Sequence, residues 1–520
     1  MNKIERKFLS SYNKMMKDFK DLLFAQRDAD VALSIARVYG ELRWHNDDGI
    51  YADKEVEHFV ISLVKKGPSL KLPKQKEKGK NGAVLLVSEL YDYGGHTKVA
   101  LQWLETMSSV QKHKLIVTRH ITKRCKNQVE ECNIPLYECR NSGINAINEI
   151  VNFAIEAEFV VLLIHPDDII ATVAAKLLSE FGADIVFYNH ADHAFSYGID
   201  LADVVCEIGE FGESISKRTG RVRGKSFRLG IPISTKYACN DITQYNRKYY
   251  NKNKDKHIVI SCGSSWKYEP ARGLFFGDFI DSLLANRSDI EIVIVGPTGR
   301  EPWWRNKIKE WGNHVHFMGT VPYEELDNLL KYADVYVDSY PINGGTAFPE
   351  ALVSGLPCTG LSSPTEGYSY ADELRVDTVE MLVKRVLALT KNDKNEMIMV
   401  ENIRQKVINS QSENVFKKRV EKIYSHEIEK TNGCYELNTN EKIDSHFLEK
   451  EWRNKVRINL PSSLSLSKLP LSLRIKCLGI MCKVFPYCKT ADAIKIIIAA
   501  LIGNNFYYAK LLYDKIRYKR

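Results

Sequence analysis

Two histidines and an aspartate fall within four residues in FYNHADHAFSYG, residues 187–198, directly after an apolar stretch. An imidazole titrating near pH 6.5 can take a proton from a hydroxyl, and a carboxylate can orient the ring or stabilise its cation. His190, Asp192 and His193 are therefore candidates for general-base chemistry, although a histidine-rich loop capping the next helix would use the same residue types. A second constellation lies in DVYVDSYPINGGTAFPEALVSGLPCTG, residues 334–360. Gly344 and Gly345 can bring backbone close to a ligand, Thr346 is a plausible N-cap, Pro349 suits a first helical turn, and Gly355 with Pro357 ends the helix. Free N–H groups at a helix start suit phosphate, and Glu350, one turn in, can reach a sugar hydroxyl. An ordinary strand-to-helix turn with a surface glutamate is the competing reading. HPDD, residues 165–168, resembles a metal site in composition. Its adjacent aspartates precede a helix expected near Ile170, which favours an N-cap at Asp167 or Asp168, and no metal is predicted.

These residues need strands to hold them. The apolar run at 83–90 suits a buried parallel strand; Gly94, Gly95, His96 and Thr97 follow, and then Val99, Ala100, Trp103, Leu104 and Met107 repeat at helical spacing. Further strands are expected at 114–118, 159–164, 184–188 and 204–208. A second alternating set begins at 258–262 and continues at 291–295, 314–318 and 335–337. Alternating strands and helices predict two tandem doubly wound α/β sheets, whose ligands bind at the carboxyl ends of the strands, so a cleft between the two is the expected site. The spans expected are a helical segment 1–65, a polar linker 66–82, a first Rossmann-like domain 83–230, a connection 231–257, a second domain 258–430, and a polar loop with a basic helical tail at 431–520.

At 520 residues the chain exceeds one core, and 27% charged with 44% hydrophobic residues excludes wholesale disorder. The net charge is +9, and residues 461–520 hold eleven Lys and Arg against Asp492 and Asp514, so the basic character belongs to the tail. There Ile494, Ile497, Ile498, Leu501 and Ile502 form a helical stripe. Such a segment can lie on an anionic membrane surface or pack on the enzyme as a small module, and no nucleic-acid motif accompanies the charge. Eleven cysteines without a CxxC pair give no zinc signature. No signal peptide is apparent, and the longest apolar run, seven residues at 496–502, is short of the ~20 needed to span. A reduced, cytoplasmic protein is expected.

Two tandem Rossmann-like domains with GGTAFPEALVSGLPC late in the second resemble the GT-B fold of nucleotide-sugar glycosyltransferases, over about residues 83–425. EALVSGLP, residues 350–357, is similar to the EAxxxGxP segment of the retaining family 4, or group 1, enzymes. The resemblance implies that Glu350 binds the nucleotide ribose and that the N–H groups before it hold the diphosphate. That family often carries another glutamate eight residues earlier, where this chain has Ile342. Asn343, Gly344, Gly345 and Thr346 resemble instead the glycine-threonine loop of the inverting O-GlcNAc transferase type. In GSSWKYEPARG, Lys267 resembles the lysine that neutralises the donor pyrophosphate. VHFMGTVPYEEL resembles the segment receiving the base, with Met318 to Val321, Gly319 among them, against the ring, and Gly94 and Gly95 match the glycine loop after the first strand.

The resemblance implies a metal-independent glycosyltransferase with no cofactor, acting on a nucleotide-diphosphate sugar and a glycan, lipid-linked glycan or protein acceptor. It would work in the cytoplasm, with the inner membrane leaflet as its possible station. His190, Asp192 and His193 would then lie near the reacting carbon. A nucleotide-sugar 2-epimerase and a catalytically silent binding or scaffold domain share the fold and stand as alternatives.

Overall fold

The computed structural model describes residues 3–46, 49–73, 81–92, 94–107, 112–235, 256–271, 273–363, 366–428 and 459–503. Most of the expected linker and of the connection 231–257, Tyr93, the polar loop after 430 and the tail beyond Gly503 lie outside the described residues. Three helices lead the chain, α1 (Lys3–Phe24), α2 (Ala29–Asn46) and α3 (Lys54–Lys66). The first sheet contains β1 (Ala83–Leu90), β2 (His113–Ile121), β3 (Leu136–Glu138), β4 (Phe159–Leu163), β5 (Asp184–Asn189), β6 (Val204–Glu207) and β7 (Lys225–Arg228), in the order β3-β2-β1-β4-β5-β6-β7. The second contains β8 (His257–Cys262), β9 (Ile290–Val295), β10 (Val315–Gly319), β11 (Val335–Val337), β12 (Cys358–Leu361) and β13 (Arg375–Val376), in the order β10-β9-β8-β11-β12-β13. All pairings within both sheets are parallel.

Central parallel strands are covered on both faces, which is why β1 and β4 read as continuous apolar runs. Along β1, Val84 and Leu86 pack with the leading helices, while Ala83, Leu85 and Val87 pack on the opposite face with Trp103. Strand order reverses between β1 and β4 and again between β8 and β11. Crevices at the carboxyl ends of such reversals are where doubly wound sheets bind ligands.

The helix α2 runs through Trp44 to Asn46, whose amide donates to Leu42 O at 2.7 Å. One expectation changes. The second unit does not keep the chain to residue 430, because the helix Glu413–Tyr424 crosses back to the first sheet. Its Phe416, Val420 and Ile423 fill the face under Trp103, and Trp103 Nε1 donates to Tyr424 OH at 3.1 Å. The tail packs on the enzyme, one of the two placements expected for it: its helices Ser463–Ser467, Leu471–Met481 and Thr490–Ile502 join the core of the first unit beside α1 and α2. The inward face of Thr490–Ile502 is Ala493, Ile496, Ala499 and Ala500, and the isoleucine stripe read from spacing faces outward.

Candidate functional site

Each sequence constellation sits at a carboxyl edge, and the two edges face each other. After β11, Asp338 is fully buried and accepts the Gly344 N–H through both oxygens, at 3.1 and 2.9 Å. A Cβ on Gly344 would stand 2.1 Å from Asp338 Oδ1, so this position admits only glycine, and Gly345 adopts φ +61°. Arg375 Nη2 donates to Asp338 at 2.9 Å and Arg375 Nε to Asp372 at 2.7 Å. Burial alone would lower the guanidinium, and the carboxylates of Asp372 and Asp338 outweigh it, so the charge is held.

Lys267 lies in the short turn Ser265–Tyr268 after β8. Its ammonium donates to Asn343 O at 2.7 Å and its carbonyl accepts the Ile342 N–H at 3.2 Å, which joins it to the glycine turn. Burial pushes its ammonium below the ordinary lysine value, against the attraction of Asp338. Both polar side-chain atoms of Asn343 are buried without a hydrogen-bond partner. The expected N-cap at Thr346 is not made: its backbone is already helical and its side chain forms no capping bond. Its Cγ2 instead lies 3.7 Å from the Cβ position of Gly95, across the cleft.

On the first unit, His190 follows β5, is mostly buried, and has a buried Nδ1 without a hydrogen-bond partner. Its ring lies 4.5 Å from that of His96, which pairs through Nε2 with Leu163 O at 2.9 Å. A carbonyl only accepts, so His96 Nε2 carries the proton. Burial, then the neighbouring imidazoles, holds His190 well below the usual histidine range, and burial brings His96 down to about 4. Both rings are neutral near pH 7. Asp192 is fully buried; its Oδ1 accepts from Tyr368 OH of the second unit at 3.1 Å and lies 3.5 Å from His193 Nδ1. His193 keeps 41% of its side chain exposed, more open than either neighbour.

These groups line two adjoining parts of one interdomain cleft. A chamber of about 340 Å³ joins His190, Asp192 and His193 to Lys267, Asn343, Gly344, Gly345 and Thr346. A wider part of about 600 Å³ continues past Gly94, Gly95 and Lys98 to Thr320, Val321, Tyr323 and Glu350. These volumes are of the size that small-molecule ligands occupy. Of the stretch Met318 to Val321 expected at the base, Thr320 and Val321 form part of the wall, whereas Met318 and Gly319 line neither part: Met318 is exposed, and Gly319 closes β10 by donating to Pro297 O. Among the described residues no cluster of His, Cys, Asp and Glu has metal-ligand geometry. Asp168 is indeed an N-cap, accepting the Ala171 N–H at 3.1 Å, and Arg119 braces both aspartates of HPDD.

Sequence reasoning passed over several lining residues. Lys98 Nζ lies 2.6 Å from Glu350 Oε1, so the glutamate expected at a ribose is held by a cation from the other unit. Trp266, Tyr368 and Arg375 also line the chamber. For Lys98 the signal was its place one turn after Gly94 and Gly95, and Trp266 adjoins Lys267. Tyr368 and Arg375 had no local signal, since only the fold brings them to the glycine turn.

Residues 256–392 match a family model described as "Glycosyl transferases group 1". No curated protein matches the sequence. Among solved structures, Anabaena Alr3699/HepE in complex with UDP superposes with a TM-score of 0.52 at 12% identity, over 66% of this chain and 100% of that one. The same Anabaena protein in complex with UDP and glucose gives 0.50 at 12% identity, over 66% and 99%. At that identity the likeness is one of fold. The match to the group 1 glycosyltransferase model falls on the second unit, and the two units together have the GT-B architecture.

Proposed function

We propose that this chain transfers a sugar from a nucleoside-diphosphate sugar to a hydroxyl of a glycan, lipid-linked glycan or protein acceptor, without a metal. One observation carries the reading: Lys267 and the turn Asn343–Thr346 share a single chamber with His190, Asp192 and His193 at the facing reversals of two parallel sheets. Lys267 and the turn would hold the diphosphate, and Glu350 with Lys98 would meet the nucleoside. The HepE complexes contain UDP, which makes uridine diphosphate the first nucleotide to test.

The acceptor hydroxyl would give its proton to His193, whose cation the Asp192 carboxylate stabilises. The freed oxygen would bond to the anomeric carbon as the carbon–phosphate oxygen bond breaks, and the nucleoside diphosphate would leave with that electron pair against Lys267. His190, neutral and mostly buried, serves better as a hydrogen-bonding contact to the donor than as this base, because a base far below the working pH gains little on proton transfer. If the phosphate itself took the proton, the same residues would instead serve a retaining course. We place the enzyme on the cytoplasmic side, at the inner leaflet.

The test is nucleoside-diphosphate release, followed with and without a panel of acceptors. Release only with acceptor, abolished in Lys267→Ala, supports transfer. Turnover of donor alone would indicate epimerase or hydrolase chemistry, and binding without turnover a silent scaffold.

A further inference from the structure

The helix Thr490–Ile502 is apolar on both sides. Its inner side packs into the core of the first unit, while Ile494, Ile497, Ile498, Leu501 and Ile502 remain 37–59% exposed along one continuous outer face. Leu471 and Ile475, on the helix Leu471–Met481 packed against it, are exposed as well. A soluble surface rarely leaves so many aliphatic side chains together without an occupant.

The charge around this face identifies the occupant. Residues 461–503 hold six Lys and Arg against one acid, Asp492, which Lys495 pairs at 3.3 Å. Lys476 and Lys489 are exposed and have no acidic partner among the described residues. By composition, residues 504–520 add five Lys and Arg against Asp514, with Phe506, Tyr507, Tyr508, Tyr513 and Tyr518, the mixture found where protein meets lipid headgroups. A second copy seated face to face would set these lysines against their own kind, and a nucleic acid would leave the aliphatic face unmatched. Among the described residues no helix is long and apolar enough to cross a membrane.

We propose that the outer face of Thr490–Ile502, with Leu471 and Ile475, docks the chain on the surface of an anionic lipid bilayer. The aliphatic side chains enter the headgroup boundary and the lysines meet the lipid phosphates. The face belongs to the acceptor-side unit. Asn459 bonds reciprocally to Asn46 at the end of α2, at 2.7 and 2.8 Å, and Ser462 N–H donates to Glu41 of α2 at 2.7 Å. From α2 a row of rings, Trp44, His165, His96 and His190, runs to the cleft, with neighbouring centroids 5.2, 6.3 and 4.5 Å apart. Docked this way, the enzyme holds the unit that carries His190, Asp192 and His193 at the lipid surface, which suits a lipid-linked saccharide as acceptor; that last step rests on the glycosyl-transfer reading.

The full-length chain is sedimented with phosphatidylcholine vesicles rich in phosphatidylglycerol and with vesicles of phosphatidylcholine alone. Binding to the first, weakened by salt, and not to the second is expected. Ile494→Glu with Leu501→Glu should lower partitioning by about tenfold or more, and Lys476→Glu with Lys489→Glu should remove the salt dependence. Unchanged circular-dichroism melting checks the fold of both variants, whose sites lie on the surface. Failure to bind anionic vesicles, equal pelleting of wild type and the Ile494/Leu501 variant, or a vesicle-free dimer abolished by that variant would each overturn the proposal. The melting shift produced by uridine diphosphate is read on the same samples. Its absence counts against the donor reading and leaves the docking result intact.

Discussion

Replacing Arg375 with methionine keeps the length of a buried side chain and removes its charge. In the native chain Asp338 is 0% and Arg375 3% exposed at the side chain, so water does little to screen the pair. Arg375→Met would leave Asp338 buried without its guanidinium partner, keeping the two bonds from Gly344 N–H, the Tyr336 hydroxyl at 3.5 Å and the attraction of Lys267, and it would free Asp372 of its guanidinium. Breaking one side of a buried pair costs about 3–5 kcal/mol. For a unit of this size each kcal/mol moves the melting temperature by about 2–4 °C, so a fall of about 6–20 °C is expected by calorimetry on the full chain. Asp338→Asn added to Arg375→Met should recover part of that loss, because the unpaired charge is then gone and the amide can still accept from Gly344. The nucleoside-diphosphate melting shift should disappear in Arg375→Met and return in part in the double variant. A loss below about 1 kcal/mol for Arg375→Met would refute the argument, since that is the scale of an exposed pair.

Lys98→Ala and Glu350→Gln should each raise the uridine diphosphate Kd by about tenfold, with a coupling above ~0.5 kcal/mol in the double variant by titration calorimetry. Additive effects would separate the pair from the donor. His193→Ala should lower kcat by about 10²–10⁴-fold, whereas His190→Ala should act mainly on the donor KM. An unchanged kcat removes His193 from proton transfer. Glu57, fully buried and pushed by burial up to about 8, binds a proton in the folded chain that the unfolded chain releases above about 4.5. The unfolded state then holds fewer protons, so this group makes stability fall by about 1.4 kcal/mol per pH unit between those values and level off above pH 8. Glu57→Gln should flatten that decline in melting temperature; an unchanged slope would assign it to other groups.

The two-sheet fold was legible because its central strands are apolar runs between glycine-bearing loops, a pattern that burial on both faces imposes on the sequence. Edge strands such as β3, with three residues, and β13, with two, are too short to show any periodicity. The glycine turn announced itself through Gly344 and Gly345, yet the reason Gly344 must be glycine, the carboxylate of Asp338 beneath it, is a contact no spacing encodes. The tail was legible in part. Its stripe is helical, but Ala493, Ile496, Ala499 and Ala500 are also apolar, and on a helix with apolar residues on both sides, sequence does not say which side meets the protein.

The polar residues missing from the sequence reading turn out to be one network. The Gly344 N–H is held by Asp338, Asp338 by Arg375, and Arg375 by Asp372; Asp372 accepts the N–H groups of Gly367 and Tyr368 at 3.0 and 3.3 Å, and Tyr368 OH reaches Asp192 beside His193. The network runs from the turn assigned to diphosphate to the loop assigned to the acceptor proton, and it crosses between units at Tyr368 and at Gly367, whose carbonyl accepts the Glu210 N–H at 3.0 Å. Its groups are buried or half-buried, so moving one member strands a charge or a donor, and its members hold position together. Lys98 and Glu350 make a second crossing at the nucleoside end. A cleft with bridges at both ends has its two walls set at a fixed distance. Tyr368→Phe, which deletes one hydroxyl and no charge, should therefore loosen the acceptor end alone, raising acceptor KM while leaving the uridine diphosphate Kd within about twofold. Equal loss at both ends would mean that the bridges act as one hinge.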